Sequence, residues 1–146
     1  MKRKRKPMAG KKKSVLKNAE GKKLYAGTLK SGKPYGYGTV YYPDGKIYQE
    51  GIFGIKGLLR GTEYYPDGKL RFRGEYRVNN GYGPNYPVRG KCYDPEGKLI
   101  HEGELKVDRR GLGWPVVLEP EGFGRVEQKE RPDYDWFMWW DEKGGA

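Results

Sequence analysis

One stretch of the chain decides the fold: Tyr64-Tyr65-Pro66-Asp67-Gly68-Lys69-Leu70-Arg71-Phe72-Arg73-Gly74-Glu75-Tyr76. Its Pro-Asp-Gly centre is a turn signal, because proline presets φ at the first corner and glycine accepts the left-handed position. After the turn, apolar and charged residues alternate as they do in a strand with one buried face. The pattern predicts a β-hairpin in which Leu70, Phe72, Gly74 and Tyr76 face inward, and Arg71, Arg73 and Glu75 face outward.

The same turn recurs along the sequence. Pairs of an acidic residue and glycine occur at 20–21, 44–45, 67–68, 96–97 and 121–122, with their glycines 24, 23, 29 and 25 residues apart. In four units a second glycine follows six residues after the first, at Gly27, Gly51, Gly74 and Gly103. A fixed period of this length is typical of a repeat fold, in which each unit is one hairpin.

Two apolar columns repeat with the same period. One contains Leu29, Phe53, Tyr76 and Leu105, and the other contains Tyr41, Tyr64, Tyr93 and Leu118. Because one hairpin cannot bury such a column alone, we expect neighbouring hairpins to pack face on face.

The first unit carries a family resemblance. It reads Tyr25-x-Gly27-x-Leu29, then Gly36-Tyr37-Gly38, then Asp44-Gly45. This order resembles the membrane-occupation-and-recognition-nexus (MORN) repeat, and the Tyr-Tyr-Pro-Asp-Gly-Lys turns are similar to its degenerate bacterial variant, which includes small proteins classed as antitoxins. The resemblance covers about residues 22 to 123. It implies an all-β fold, in which stacked antiparallel hairpins form a twisted single-layer sheet, and a homodimer.

Composition agrees with a turn-dense fold of one modest domain. The chain has 146 residues with 24 Gly and 10 Pro, yet its 4 Trp, 13 Tyr and 4 Phe argue against general disorder. No apolar run is long enough for a signal peptide or a spanning helix, and one cysteine forms no internal disulfide. We therefore expect a cytoplasmic protein, or a nuclear one in a eukaryotic cell.

The net charge of +11 is concentrated at the N-terminus. Residues 1–23 carry 11 Lys or Arg and one acid, a net +10, which leaves +1 for the rest. We expect residues 1–20 to form a disordered basic arm that attaches to anionic lipid or nucleic acid, or that serves only as a solvated tail. Its principal cations are Lys2, Arg3, Lys4, Arg5, Lys6, Lys11, Lys12 and Lys13.

Two segments lie outside the regular repeat, which we expect to span residues 21–126 in about four units. Residues 79–87 predict a protruding loop, either structural or a contact loop, with Tyr82 and Tyr86 as candidate partner contacts. Residues 127–146 are acidic and rich in tryptophan, and the spacing after Asp133 predicts a short helix. This segment is either a cap on the repeat or a docking segment that uses Trp136, Phe137, Trp139 and Trp140.

The sequence offers little for catalysis. One cysteine and one histidine are too few for a zinc site, and no cofactor is expected. Cys92 and His101 should lie on adjacent strands, but they have no marked third partner for a nucleophilic site. We expect a non-enzymatic MORN-like module that binds a protein partner, with the arm attached to an anionic surface. The alternatives are an antitoxin or inhibitor that occludes a partner, a protein that associates with nucleic acid through the arm, and an enzyme that uses Cys92 and His101.

Overall fold

The computed structural model describes residues 14–79, 85–108 and 116–126, and within these ranges every regular element is a β-strand. No helix in this part of the chain is long and apolar enough to cross a membrane. The strands are β1 (Ser14–Lys17), β2 (Lys23–Lys30), β3 (Lys33–Tyr41), β4 (Ile47–Gly54), β5 (Gly57–Tyr64), β6 (Leu70–Arg77), β7 (Tyr86–Tyr93), β8 (Leu99–Glu104), β9 (Lys106–Asp108) and β10 (Val116–Leu118). Strands β1 to β8 form one antiparallel sheet in chain order, and β9 pairs with β10 in a second sheet. The predicted all-β architecture of consecutive hairpins is confirmed.

The Pro-Asp-Gly turns connect the paired strands of each hairpin at one end of the strands, as predicted. Gly45 N donates to Tyr42 O at 2.8 Å, and Gly45 takes a left-handed φ of 96°. The Asp44 carboxylate accepts a hydrogen bond of 2.9 Å from Lys46 N, which fixes the residue after the turn. Aspartate and glycine are therefore both required by the turn geometry.

Neighbouring hairpins join edge to edge, so the expectation of face-on-face packing is wrong. The last strand of one hairpin bonds to the first strand of the next; for example, β4 pairs with β5 from Gln49 opposite Glu63 to Gly54 opposite Gly57. Edge pairing satisfies the backbone donors and acceptors of each strand, whereas face-on-face stacking would leave them unpaired at every hairpin edge.

A row of glycines crosses the sheet, one in each strand from β2 to β8. A Cβ added at Gly74 would lie 2.1 Å from the carbonyl oxygen of Arg89 and 2.6 Å from Cα of Gly90. At Gly74, and likewise at Gly51, Gly61 and Gly90, the strands thus approach too closely to admit a side chain, whereas a Cβ at Gly103 would meet nothing within 4 Å. Successive members of this glycine row lie directly opposite one another: Gly27, Gly38, Gly51, Gly61, Gly74, Gly90 and Gly103.

A β-bulge lies beside each of the four acidic-Gly turns that close hairpins of the main sheet. In β5 and β6, Tyr64 pairs with Leu70 and Glu63 pairs with Phe72, so that Arg71 has no opposite residue in the ladder. A bulge turns its extra side chain relative to the strand alternation. Arg71 is accordingly buried, and the prediction that it faces outward is wrong. The corresponding residues of the other hairpins are Leu24, Tyr48 and Ile100, and we call these four residues the bulge row.

The apolar core lies on one side of the sheet, which we call the inner face. Phe53, Tyr76 and Leu105 of the first predicted column are buried there, and the rings of Tyr25 and Phe53 meet edge to face at 5.6 Å. In β6, Phe72 is also buried while Arg73 and Glu75 are exposed, as predicted. The second column is wrong: Tyr41, Tyr64 and Tyr93 are only part-buried and lie outside the core, and Leu118 is exposed in β10 because the chain leaves the main sheet after β8.

The sheet begins earlier in the chain than predicted. Strand β1 starts at Ser14, inside the range expected to be disordered, and Leu16 lies opposite Tyr25 of β2. The expected end of the arm at residue 20 is therefore wrong, because 14–17 are held by ladder hydrogen bonds. The predicted helix within 127–146 lies outside the described residues.

The close approach along the glycine row predicts a large cost for adding one methyl group. We expect Gly74→Ala to lower the free energy of unfolding by about 3 kcal/mol, because the methyl meets backbone atoms of β7 that cannot move aside. Gly54→Ala is the matched control: its methyl would meet only the flexible Leu59 side chain, at 3.0 Å, so we expect a loss of about 1 kcal/mol or less. Urea denaturation measures both, and equal losses would show that the glycine row is not sterically required.

Candidate interaction surfaces

The structure describes only one of the sequence-predicted contact residues. The arm cations from Lys2 to Lys13 lie outside the described residues, as do Tyr82, Trp136, Phe137, Trp139 and Trp140. Tyr86 begins β7, pairs with Arg77 and is only 8% exposed. Its assignment to a protruding loop is therefore wrong, because the strand pairing draws the end of that segment into the sheet.

Cys92 and His101 lie directly opposite each other on β7 and β8, as the repeat predicted. The Cys92 thiol is fully buried, and this burial raises its pKa to about 11. A reactive cysteine needs a lowered pKa, so the environment of Cys92 is that of a packing residue. The His101 ring instead lies 2.9 Å from the backbone carbonyl of Glu104. Among the described residues, no cluster of His, Cys, Asp and Glu could hold a metal ion.

The inner face contains a buried ion pair between Glu63 of β5 and Arg71 of β6. Arg71 Nη1 donates to Glu63 Oε2 at 2.9 Å. The other carboxylate oxygen, Glu63 Oε1, accepts hydrogen bonds from Gln49 Nε2 at 2.9 Å and from Tyr76 Oη at 3.0 Å. Both oxygens of the buried carboxylate are thus satisfied, which a charge in an apolar layer requires.

The electrostatics of this cluster keep Arg71 charged. Burial alone would lower the pKa of its guanidinium, but Glu63 and Glu119 outweigh that effect and the pKa is raised. Burial also raises the pKa of the Tyr76 hydroxyl, and the nearby Glu63 carboxylate adds to the effect. Tyr76 therefore remains a hydrogen-bond donor throughout the ordinary pH range.

Arg71 anchors the segment 116–126 to the inner face. Its Nε donates to the Gly124 carbonyl at 3.0 Å, and its guanidinium lies 4.0 Å from the centre of the Phe123 ring. Its Nη2 faces a carboxylate oxygen of Glu119 at 3.5 Å, as an ion pair without a hydrogen bond. Tyr65 Oη accepts a hydrogen bond of 2.9 Å from Gly124 N. These contacts make the segment a second layer over the inner face of the sheet.

Sequence reasoning missed the Glu63–Arg71 pair although the repeat contains a signal for it. Arg71 is the third residue after a turn glycine, where the other hairpins have Leu24, Tyr48 and Ile100. Glu63 is the fifth residue before the same glycine, where the others have Leu16, Val40 and Cys92. Two opposite charges in apolar columns of one hairpin indicate a buried pair.

The opposite side of the sheet, the outer face, has an apolar patch at its β3–β4 end. Tyr37 lies opposite Ile52, and these side chains are 52% and 36% exposed. Tyr35 is also exposed on this face, and the Lys30 ammonium lies 4.9 Å from the centre of its ring. We call Tyr35, Tyr37 and Ile52 the outer patch. Exposed aromatic side chains on a rigid sheet are typical of protein contact surfaces.

Over β5–β8 a row of charged residues crosses the outer face. Arg60 lies opposite Glu75, Glu75 opposite Arg89, and Arg89 opposite Glu104, and the last two form an ion pair of 3.5 Å. Exposed pairs of this kind add little to stability. A cleft of about 230 Å³ also opens at this end, lined by Glu75, Arg77, Val88, Arg89, Glu104, Leu105 and Val107.

Comparison with known proteins agrees with this geometry. Residues 34–53 and 60–77, which contain most of β3 and β4 and most of β5 with all of β6, match the family model described as MORN repeat variant. The two matched segments are similar to this repeat variant. The chain matches no curated protein and no solved structure. MORN repeats commonly bind partners and are generally non-catalytic, which fits the packing role of Cys92.

The raised pKa of Cys92 predicts slow modification of the folded protein. At pH 8 we expect a thiol reagent to react at least about 100-fold more slowly in buffer than in urea, because a pKa near 11 instead of 9.0 leaves about 100-fold less thiolate. The sign also predicts a loss of stability as pH rises above 9, since the unfolded thiol ionises first. Equal reaction rates in buffer and urea would support a reactive cysteine instead.

The Glu63–Arg71 pair predicts a strongly non-additive mutant cycle. Arg71→Met should lower the free energy of unfolding by about 3–5 kcal/mol, because it leaves the Glu63 carboxylate buried without its cation. Adding Glu63→Gln should restore at least half of that loss, because an amide oxygen still accepts from Gln49 and Tyr76 without a charge. Urea denaturation of the wild type, both single variants and the double variant tests this, and additive losses would contradict the coupling.

Proposed function

We propose that this MORN-like protein is a non-catalytic module that binds a protein partner through the outer patch. The observation that carries the proposal is the pair Tyr37 and Ile52, which are directly opposite each other and exposed in the middle of a regular sheet. Over β5–β8 the inner face is engaged by the protein's own segment 116–126, which favours the outer face for a partner.

The chemistry of the outer patch suits a protein partner. Tyrosine provides a rigid apolar ring together with a polar hydroxyl, and such residues contribute most of the binding energy in many interfaces. The patch rests on paired strands, so little side-chain or backbone ordering opposes binding. It adjoins Arg60, which lies opposite Ile52 and adds a residue type enriched in such interfaces.

The basic arm supplies a second attachment in this proposal. Its eight cations between Lys2 and Lys13, with no acidic residue among them, favour a polyanion such as RNA or an anionic lipid surface. The eight cations between Lys2 and Lys13 lie outside the described strands, so replacing them leaves the residues of β1 to β10 unchanged.

Affinity capture from native cells tests the outer patch. We expect Tyr37→Asp/Ile52→Asp to reduce partner recovery at least about tenfold, since each side chain at an interface centre contributes on the order of 1–2 kcal/mol. Leu99→Asp/Leu118→Asp is the matched control, because it introduces the same two charges at exposed apolar positions away from the patch. Equal loss in both variants, or in neither, would contradict the proposal.

The same capture, with the arm cations replaced by glutamine, separates the two attachments. We expect salt-sensitive retention of RNA or anionic vesicles to disappear while the protein partner is still recovered. A captured enzyme that loses its activity in a stoichiometric complex would identify the module as an inhibitor. Retention of polyanions by the neutralised arm variant would remove the arm from the proposal.

A further inference from the structure

The inner face of the β2–β4 region is as apolar as that of β5–β8 and equally well buried. Tyr42 is 2% exposed and Tyr48 is 3% exposed, and their rings meet edge to face at 5.0 Å. A sheet buries one of its faces only against a second layer of structure. Over β5–β8 the segment 116–126 supplies part of that layer. Another segment must supply the layer over β2–β4.

The contacts of the segment 116–126 show in which direction it crosses the inner face. A Cβ at Gly122 would lie 3.6 Å from Ile100 Cδ1 on β8, and Phe123 and Gly124 contact Arg71 on β6. The chain therefore crosses the sheet along the bulge row, from β8 towards β2. The next members of the row are Tyr48 on β4 and then Leu24 on β2.

The repeat places an equivalent pair of contact residues one hairpin earlier in the sheet. Tyr65 donates to the Tyr93 carbonyl at 2.6 Å and binds the segment at Gly124, beside Arg71. One hairpin earlier, Tyr42 donates to the Tyr64 carbonyl at the same 2.6 Å, and Tyr48 takes the position of Arg71. The contact pair Tyr42 and Tyr48 is thus equivalent to the contact pair Tyr65 and Arg71. An aromatic ring replaces the guanidinium cation.

The stretch of chain after Val126 is long enough and apolar enough to cover Tyr42 and Tyr48. From β6 to β4 is two strand spacings, about 10 Å. Residues 127–136 would span about 15 Å even as a helix, so the chain is long enough for the residues that begin at Trp136 to reach Tyr48. Val126, the last residue described, is already buried. Edge-to-face contacts between tryptophan and the Tyr42 and Tyr48 rings would complete the layer.

We propose that the tail, residues 127–146, continues along the bulge row and packs on the inner face over Tyr48 and Leu24. Trp136, Phe137, Trp139 and Trp140 then belong to the core of the chain's own fold, and the tail is the occupant of this surface. The proposal does not depend on the outer patch or on the identity of any partner.

Quenching of tryptophan fluorescence by acrylamide tests the proposal in the full chain. Trp114→Phe serves as the background, so that emission comes from the three tail tryptophans. We expect a quenching constant about threefold smaller in buffer than in urea, because packed rings exclude the quencher. Tyr48→Ser on the inner face should raise the constant towards the urea value, and Tyr37→Ser on the outer face, the matched control, should leave it unchanged.

A second variant keeps the test decisive if Tyr48→Ser does not fold by circular dichroism. Trp136→Ser/Trp139→Ser/Trp140→Ser leaves the residues of β1 to β10 unchanged and should increase the fluorescence of an added apolar dye severalfold, because the inner face is uncovered. The proposal is overturned if the tail tryptophans are quenched equally in buffer and urea, or if only Tyr37→Ser exposes them. Protection that disappears on dilution, with a dimer mass by light scattering, would assign the surface to a second copy's tail and overturn it as well.

Discussion

The steric constraint of the glycine row governs the rest of the structure. At Gly51, Gly61, Gly74 and Gly90, the space that a Cβ would occupy contains the carbonyl oxygen of the neighbouring strand. The β4–β5 and β6–β7 pairs can approach in this way only if glycine meets glycine, so each of these two pairs has one permitted register. A slip of one residue would place a side chain against that carbonyl and would also exchange the two faces of the sheet. The row thereby fixes which residues are buried throughout the array.

This fixed register gives the two faces different roles. The inner face receives the large buried rings, among them Tyr25, Phe53 and Phe72. The segment 116–126 adds a second layer there through Arg71 and Tyr65. The outer face keeps alternating charges over β5–β8 and the outer patch over β3–β4. The division follows from strand alternation once the glycines are aligned.

The strands, the turns and the glycine spacing were predictable because each depends on local sequence. Pro66, Asp67 and Gly68 specify their turn without help from the rest of the chain. The orientation of Arg71 was not predictable by simple alternation, because the bulge adds one residue to the outgoing strand and breaks the period of two. The burial of Tyr86 and the departure of the chain after β8 depend on tertiary contacts that no local pattern contains. In the candidate surfaces, sequence reasoning therefore named Tyr86 and missed Tyr37, Ile52 and the Glu63–Arg71 pair.

The cost of burying Glu63 and Arg71 has a structural reason in this arrangement. An apolar residue at position 71 would let the segment 116–126 slide over the inner face, because apolar contacts have no preferred direction. The guanidinium is planar and directional, and it contacts the Gly124 carbonyl, the Phe123 ring and the Glu119 carboxylate together. Only one placement of the segment satisfies all three. We infer that the charge pair selects where the C-terminal segment crosses the sheet, so that a single hairpin of an otherwise repetitive array receives it.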